Sequence, residues 1–417
     1  MALNWSLLKR IAFRFFFAYL VLYLFPFPVN AIDAFEDATT GYDSLWARLV
    51  QPVGKALFGV DASVLPNGSG DTTFNYVQVF CYLAIAILAT LVWSLLDRKR
   101  EEYARLDAWL RVYVRFGLAA AMIVYGTAKV IPTQFPPPTL NKLNMIFGEQ
   151  SPMGLLWSFM GASPAYTIFT GFAELTAGLL LTMRRTTLLG ALIAAGVMTN
   201  VVMLNFCYDV PVKLYSSHLL LMALFLAAPS AKRLIDFFIF NRQTQPVEIP
   251  RLLPERWTRL VVPVLRTAVV LLYVGTMLQT TWEYYSGSRY AKPVLYGMWS
   301  VEDFSINGQP KAPVLSEAMR WRSVVIDYSS FNVRQMNDTR VRYVAKIDTA
   351  KRTIALMRPQ PPARTSFTYS QPQRSLIVMQ GMLDGKSVRA TLKRIDKLDF
   401  LLTSRGFHWI NEYPMNR

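Results

Sequence analysis

Residues 164–183 read PAYTIFTGFAELTAGLLLTM, an apolar run with a single carboxyl group, Glu174, near its middle. A bilayer core about 30 Å thick takes about 20 apolar residues in helical form, because lipid offers no partner to a free backbone N–H or C=O. The run meets that length. Glu174 then lies about 15 Å from the outer end of the helix, at a rise of about 1.5 Å per residue. An ionised carboxylate at that depth is costly unless it is protonated, paired or hydrated, so it asks for a partner elsewhere in the chain.

Six further runs share this character: Ile11–Pro28, Phe74–Leu96, Val112–Ile131, Thr186–Cys207, the shorter Leu214–Ala228, and Leu260–Thr281. The expected fold is therefore an α-helical polytopic membrane bundle of about seven transmembrane helices. Composition agrees: of 417 residues, 53% are hydrophobic and only 17% charged, against about 25% charged in a soluble domain. That excludes a disordered chain and argues against an ordinary soluble enzyme. The net charge of +17 comes from 44 Lys+Arg and 27 Asp+Glu. Most of those cations fall between the apolar runs or in the C-terminal third, so no nucleic-acid partner is expected.

Orientation follows from the Lys/Arg bias of short loops, which stay cytoplasmic during insertion. With the N-terminus inside, the inner segments hold Lys9, Arg10, Arg98, Lys99, Arg100, Arg105, Arg111, Arg184, Arg185 and the basic group from Lys232 to Arg259. The outer loops before the last span hold only Arg48, Lys55, Lys142 and Lys213. An odd number of spans then places everything after Thr281 outside the cytoplasm. An alternative for the first run is a cleaved signal peptide, since Lys9 and Arg10 precede it and Val29-Asn30-Ala31 resembles a processing site.

After Tyr284 the period changes. In Lys386-Ser-Val-Arg-Ala-Thr-Leu-Lys393, Val388, Ala390 and Leu392 alternate with Arg389, Thr391 and Lys393, the period of two expected of a half-buried strand. Trp321–Tyr328, Val341–Ile347, Thr353–Met357 and Ser375–Gln380 behave likewise, with turn chemistry at Asn307-Gly308 and Asp384-Gly385. The expected organisation is a transmembrane hairpin with an extracytoplasmic loop (1–110), a four-helix core (111–235), a linker from Gln243 to Pro254 with the last span (236–283), and a C-terminal antiparallel β domain (284–417). Residues 281–417 carry 21 Lys+Arg and 11 acids, which suits either anionic membrane lipids or an acidic extracytoplasmic protein as partners, or simply a solvated basic surface.

Ionisable groups inside spans are functional candidates by default. Arg115 and Lys129 lie on nearly one face of the third span, about 40° apart at 100° per residue, and Gly126 on that face leaves room for a neighbouring helix. Glu174 is expected either to be protonated, with a raised pKa, or to pair with Lys129 or Arg115. Asn200, Asn205, Asp209, Lys213 and His218 fall in the outer half or at the outer surface, so together with Lys129 and Glu174 they form a candidate substrate-binding cluster opening outward. The plainer reading is that Lys129, Asp209 and Lys213 anchor at the interface and the two asparagines tie helices together. No metal site is expected, since the chain has only His218 and His408 and no HExxH. Nor is there a Gly-rich nucleotide loop. The two cysteines, Cys81 and Cys207, form no CxxC.

Arg115, Tyr125-Gly-Thr-Ala-Lys129, Gly171-Phe-Ala-Glu174 and the basic turn Arg184-Arg185, followed by two closing spans, resemble the DoxX-like family of four-helix bacterial membrane proteins over residues 111–235. The resemblance implies an inner-membrane component of a sulfur or thiol redox system. A founding member is a subunit of a thiosulfate:quinone oxidoreductase, so it further implies a quinone-facing or accessory role, no cofactor of the chain's own beyond a possible membrane quinone, and a partner oxidoreductase. Lys129 and Glu174 are then the candidate catalytic groups. The alternative is a non-enzymatic scaffold or chaperone using the β domain, with Trp299, Trp321 and Trp409 as contact surface or as core. A small-molecule transporter is a third reading, although paired helix interruptions in two related halves are not visible.

Overall fold

A computed structural model describes residues 5–31, 35–245, 252, 254, 255, 257–287, 292–358 and 362–416. Part of the expected linker, 246–251 and 253, lies outside the described residues. The chain divides into two compact units: residues 1–134 with 165–283, and residues 135–164 with 284–417.

The first unit is helical. Its elements are α1 (Leu7–Leu24), α2 (Glu36–Val53), α3 (Thr73–Leu96) and α4 (Ala104–Val130), followed, after the short α5 (Leu140–Leu143) and α6 (Pro152–Ala162) of the other unit, by α7 (Pro164–Thr182), α8 (Thr187–Cys207), α9 (Lys213–Ala227), α10 (Ala231–Phe238) and α11 (Val262–Gly287). Among the described residues six helices are long and apolar enough to cross a membrane: α3, α4, α7, α8, the α9–α10 rod and α11. The first expected span is not among them. Although α1 is 18 residues long, it carries Lys9, Arg10 and Arg14.

Arg14 is 2% exposed. Its guanidinium donates to the Tyr103 hydroxyl (2.8 Å), Ser94 Oγ (2.8 Å) and the Asp97 carbonyl (3.0 Å), while Tyr103 donates to Asp97 Oδ2 (2.8 Å). The charge thus fastens α1 to the end of α3 and the start of α4. A capping box between Thr72 and Asn75 begins α3. The start of α9 has no local cap, and Asp71 supplies one from a distance, accepting from the backbone N–H of Lys213 (2.7 Å) and Leu214 (2.9 Å).

Glycines let α4 and α7 meet backbone to backbone. A Cβ placed on Gly126 would lie 2.7 Å from the backbone N of Leu175, and one on Gly171 would lie 2.7 Å from both Lys129 Cβ and Val130 N. No side chain fits there, which is the close approach anticipated for Gly126. By contrast, no residue of α11 is buried within its unit.

The second unit is an antiparallel barrel. Strands β1 (Gly297–Ile306), β2 (Gln309–Pro310), β3 (Trp321–Ile326), β4 (Ser330–Gln335), β5 (Arg340–Asp348), β6 (Thr353–Arg358), β7 (Ala363–Gln373), β8 (Leu376–Leu383) and β9 (Lys386–Ile395) run as a meander, with α12 (Leu401–Ser404) beyond. β1 pairs with β9 and closes eight strands into a barrel, while β2 only extends the β1 hairpin. Closure removes exposed strand edges. The interior is filled by side chains of alternating residues: Val388, Ala390 and Leu392 are 1%, 0% and 0% exposed. Asn307-Gly308 and Asp384-Gly385 each take positive φ at both residues, the geometry of a two-residue hairpin turn. Strands β1, β4 and β7 are additions to the sequence reading.

Residues 135–164 fall within the expected 111–235 core. In the structure they pack with the barrel: Leu140 is buried with Met298 and Val325, flanked by Leu143, Tyr296, Ile395 and Phe400.

Candidate functional site

The close approach of α4 and α7 puts Lys129 opposite Glu174. Lys129 Nζ lies 2.6 Å from both carboxylate oxygens of Glu174, and the residues are 6% and 3% exposed. Such a pair must have good geometry to offset desolvation, and a two-oxygen grip on one ammonium provides it. Lys129 also stands 5.6 Å from the centre of the Tyr125 ring.

Aromatic groups continue from there. The Tyr125 and Tyr215 rings are 6.0 Å apart, and Tyr215 and Tyr23 both pack against the helical core. Tyr23 stacks on His218 at 3.9 Å and 4°. His218 Nδ1 is 2.6 Å from the carbonyl oxygen of Leu214, which only accepts, so Nδ1 carries a proton. In the neutral ring Nε2 then accepts from the Tyr19 hydroxyl at 2.5 Å. Tyr23, Tyr125 and Tyr215 hydroxyls have no hydrogen-bond partner among the described residues.

The remaining expected cluster divides among other places. Arg115 lies toward the opposite end of α4, donates to Thr187 Oγ1 at 3.4 Å and stands over Phe116 at 4.8 Å. Asn200 is exposed on α8. Asn205 is buried and donates to Ser216 Oγ at 3.0 Å, tying α8 to α9. Asp209 is exposed and pairs with Lys213 at 2.8 Å. The structure thus joins Lys129 with Glu174, sets His218 among tyrosines, and gives Asn205, Asp209 and Lys213 roles in the α8–α9 connection. Trp299 and Trp321 are each 1% exposed and belong to the barrel core, the second of the two roles the sequence offered them, whereas Trp409 is 91% exposed.

Sequence reasoning missed Tyr19, Tyr23, Tyr215, Asp71 and Arg14, and named Tyr125 only within the motif of the resemblance. A signal existed for two of them: Tyr19 and Tyr23 are four residues apart and share one helix face. Among the described residues no three His, Cys, Asp or Glu side chains converge as metal ligands.

No known family profile matches the chain, and no solved structure matches it. It is similar to the uncharacterized protein YwoB of Bacillus subtilis (strain 168), with 35% identity over 124 residues, which are 30% of this chain and 79% of that protein. Through that stretch the chain belongs to the family of YwoB.

Proposed function

We propose that this is a DoxX-like, multi-pass protein of the bacterial inner membrane that serves as a quinone-facing subunit of a sulfur or thiol redox system. The observation that carries this reading is the buried Lys129–Glu174 pair beside tyrosines with free hydroxyls. In this reading α1 is a seventh span with the N-terminus cytoplasmic, and the barrel is extracytoplasmic, as the Lys/Arg bias argues.

The donor set suits a quinone headgroup, whose carbonyls accept hydrogen bonds and whose flat ring stacks on aromatic faces. Tyr23, Tyr125 and Tyr215 offer both, and Lys129 offers an ammonium. When bound, the quinone supplies two-electron, two-proton chemistry, and a partner oxidoreductase brings the electrons. Lys129 orients the Glu174 carboxylate and balances its charge, Glu174 holds or releases a proton at Oε1 or Oε2, and the helix packing keeps water away.

The test uses membranes given a sulfur or thiol donor and a soluble quinone analogue. Lys129→Met together with Glu174→Leu removes both charges without stranding either, so it should abolish quinone reduction at unchanged protein level. Retained activity would reduce the pair to a tie between helices.

A second reading, a membrane scaffold, draws on the exposed apolar tail: Phe407, Trp409, Ile410 and Tyr413 are 76%, 91%, 76% and 84% exposed. Truncation after Ser404 should then release a copurifying protein while leaving the thermal midpoint unchanged. Unchanged copurification would remove this reading.

A further inference from the structure

A cleft of about 390 Å³ lies within the barrel unit, walled by residues 141–145 on one side and by β4 and β5 on the other. Its volume is near the small end of ligand sites. The strand register explains its floor. On β4, Asn332 and Arg334 point outward between the buried Phe331 and Val333, and on β5 their cross-strand partners are Arg342 and Arg340.

The walls are stiffened by contacts of their own. Arg334 donates to Asp338 Oδ1 through Nε at 2.8 Å and to the Asn144 carbonyl at 3.1 Å. Asn144 Nδ2 donates to Ser323 Oγ at 3.0 Å. Arg340 is engaged by Glu149. Of the three arginines, therefore, two are neutralised within the fold.

What remains available is a mixture of donors and acceptors. Arg342 is exposed and the Asn141 amide half-buried, and neither has an ion-pair or hydrogen-bond partner among the described residues. Asp327 Oδ1 accepts from the Tyr328 N–H at 2.9 Å, which leaves Oδ2 open. Asn332 donates through Nδ2 to Ser330 Oγ at 3.0 Å, which leaves its carbonyl oxygen open. Met145 and Val341 add apolar surface.

We propose that this cleft binds a small, uncharged saccharide. A sulfate only accepts hydrogen bonds, and a phosphate, although it keeps a P–OH donor near neutral pH, carries one to two negative charges, so either anion would meet Arg342 favourably but be repelled by the Asp327 carboxylate and the Asn332 carbonyl. A sugar hydroxyl both donates and accepts, so one ring satisfies Arg342, Asp327 and the two amides together, while its C–H face rests on Met145 and Val341. Polar groups of both kinds at a shallow apolar patch thus select the hydroxyl-rich ligand over the anion.

The experiment uses the full-length protein in a sugar-free zwitterionic detergent, with saturation-transfer NMR to maltose, cellobiose and N,N′-diacetylchitobiose, and titration calorimetry for any that respond. Saturation of the ring protons of at least one disaccharide is expected, unaffected by inorganic phosphate. Asp327→Ala, Arg342→Ala and Asn141→Ala should each weaken binding about tenfold, the scale of one hydrogen bond involving a charged or well-placed group. Elution volume and thermal midpoint confirm folding, and Asn141→Ala on the connecting segment serves if a strand variant fails to fold. Absence of transfer to all of these disaccharides overturns the proposal. So does displacement of the sugar by phosphate, or phosphate binding that tightens in Asp327→Asn.

Discussion

At Lys129 and Glu174 the central question is whether two buried charges serve the helix pair, the chemistry, or both. Removing one partner strands the other in a low-dielectric interior, so Glu174→Gln should lower stability by about 3–5 kcal/mol, read as a lower thermal midpoint in detergent. Lys129→Met with Glu174→Leu should recover most of that loss, because apolar groups of similar size replace the pair without an unmet charge. Equal stability of parent and Glu174→Gln would show that the ammonium finds water instead. The sequence left protonation of Glu174, or pairing with Lys129 or Arg115, open, and the structure selects Lys129. The tyrosines beside the pair were not legible, because a tyrosine in an apolar run has the signature of an ordinary core residue.

Among the elements, the α4–α7 crossing depends on glycine. Gly171→Val forces a branched side chain against Lys129 Cβ and the backbone N of Val130, and such overpacking should cost at least about 1–3 kcal/mol. Gly196 on α8 meets nothing within 4 Å of a built Cβ, so Gly196→Ala should be neutral or stabilise by up to about 1 kcal/mol. Similar thermal losses for the two variants would argue against the close crossing. In the barrel, the Arg334 guanidinium holds the Asp338 carboxyl below the usual carboxylate range. A depressed carboxylate contributes stability above its unfolded value and loses it as pH falls through the folded one. Acid titration of the thermal midpoint should therefore show a loss in the acid range that Asp338→Asn lacks.

At the scale of the molecule, two compact units are built from interleaved stretches of chain. Residues 135–164 belong with the barrel although residues 165–283 of the helical unit separate them from it in sequence. Leu140→Ala should thus destabilise the barrel unit by about 2–5 kcal/mol, read as lost hydrogen-exchange protection in β1 and β3, while leaving the amides of α8 unchanged. Trp409→Ala, at an exposed position, should leave both unchanged. A barrel indifferent to Leu140→Ala would separate the inserted segment from its core.

The sequence by itself determined the apolar helices, the period-two strands β3, β5, β6, β8 and β9, both two-residue turns, and the demand of Glu174 for a partner. Each of these is a local free-energy requirement: a desolvated backbone, an alternating face, a positive φ or an unmet charge. Only the tertiary structure decided that Tyr19 meets His218 across 199 positions, that Arg14 is buried against Tyr103, and that Arg115, Asn200 and Asp209 stand apart from Lys129 and Glu174. It also decided that the barrel closes through β1 and β9. Those outcomes depend on which distant surfaces pack together, and packing between residues far apart in the chain leaves no periodic trace in either partner.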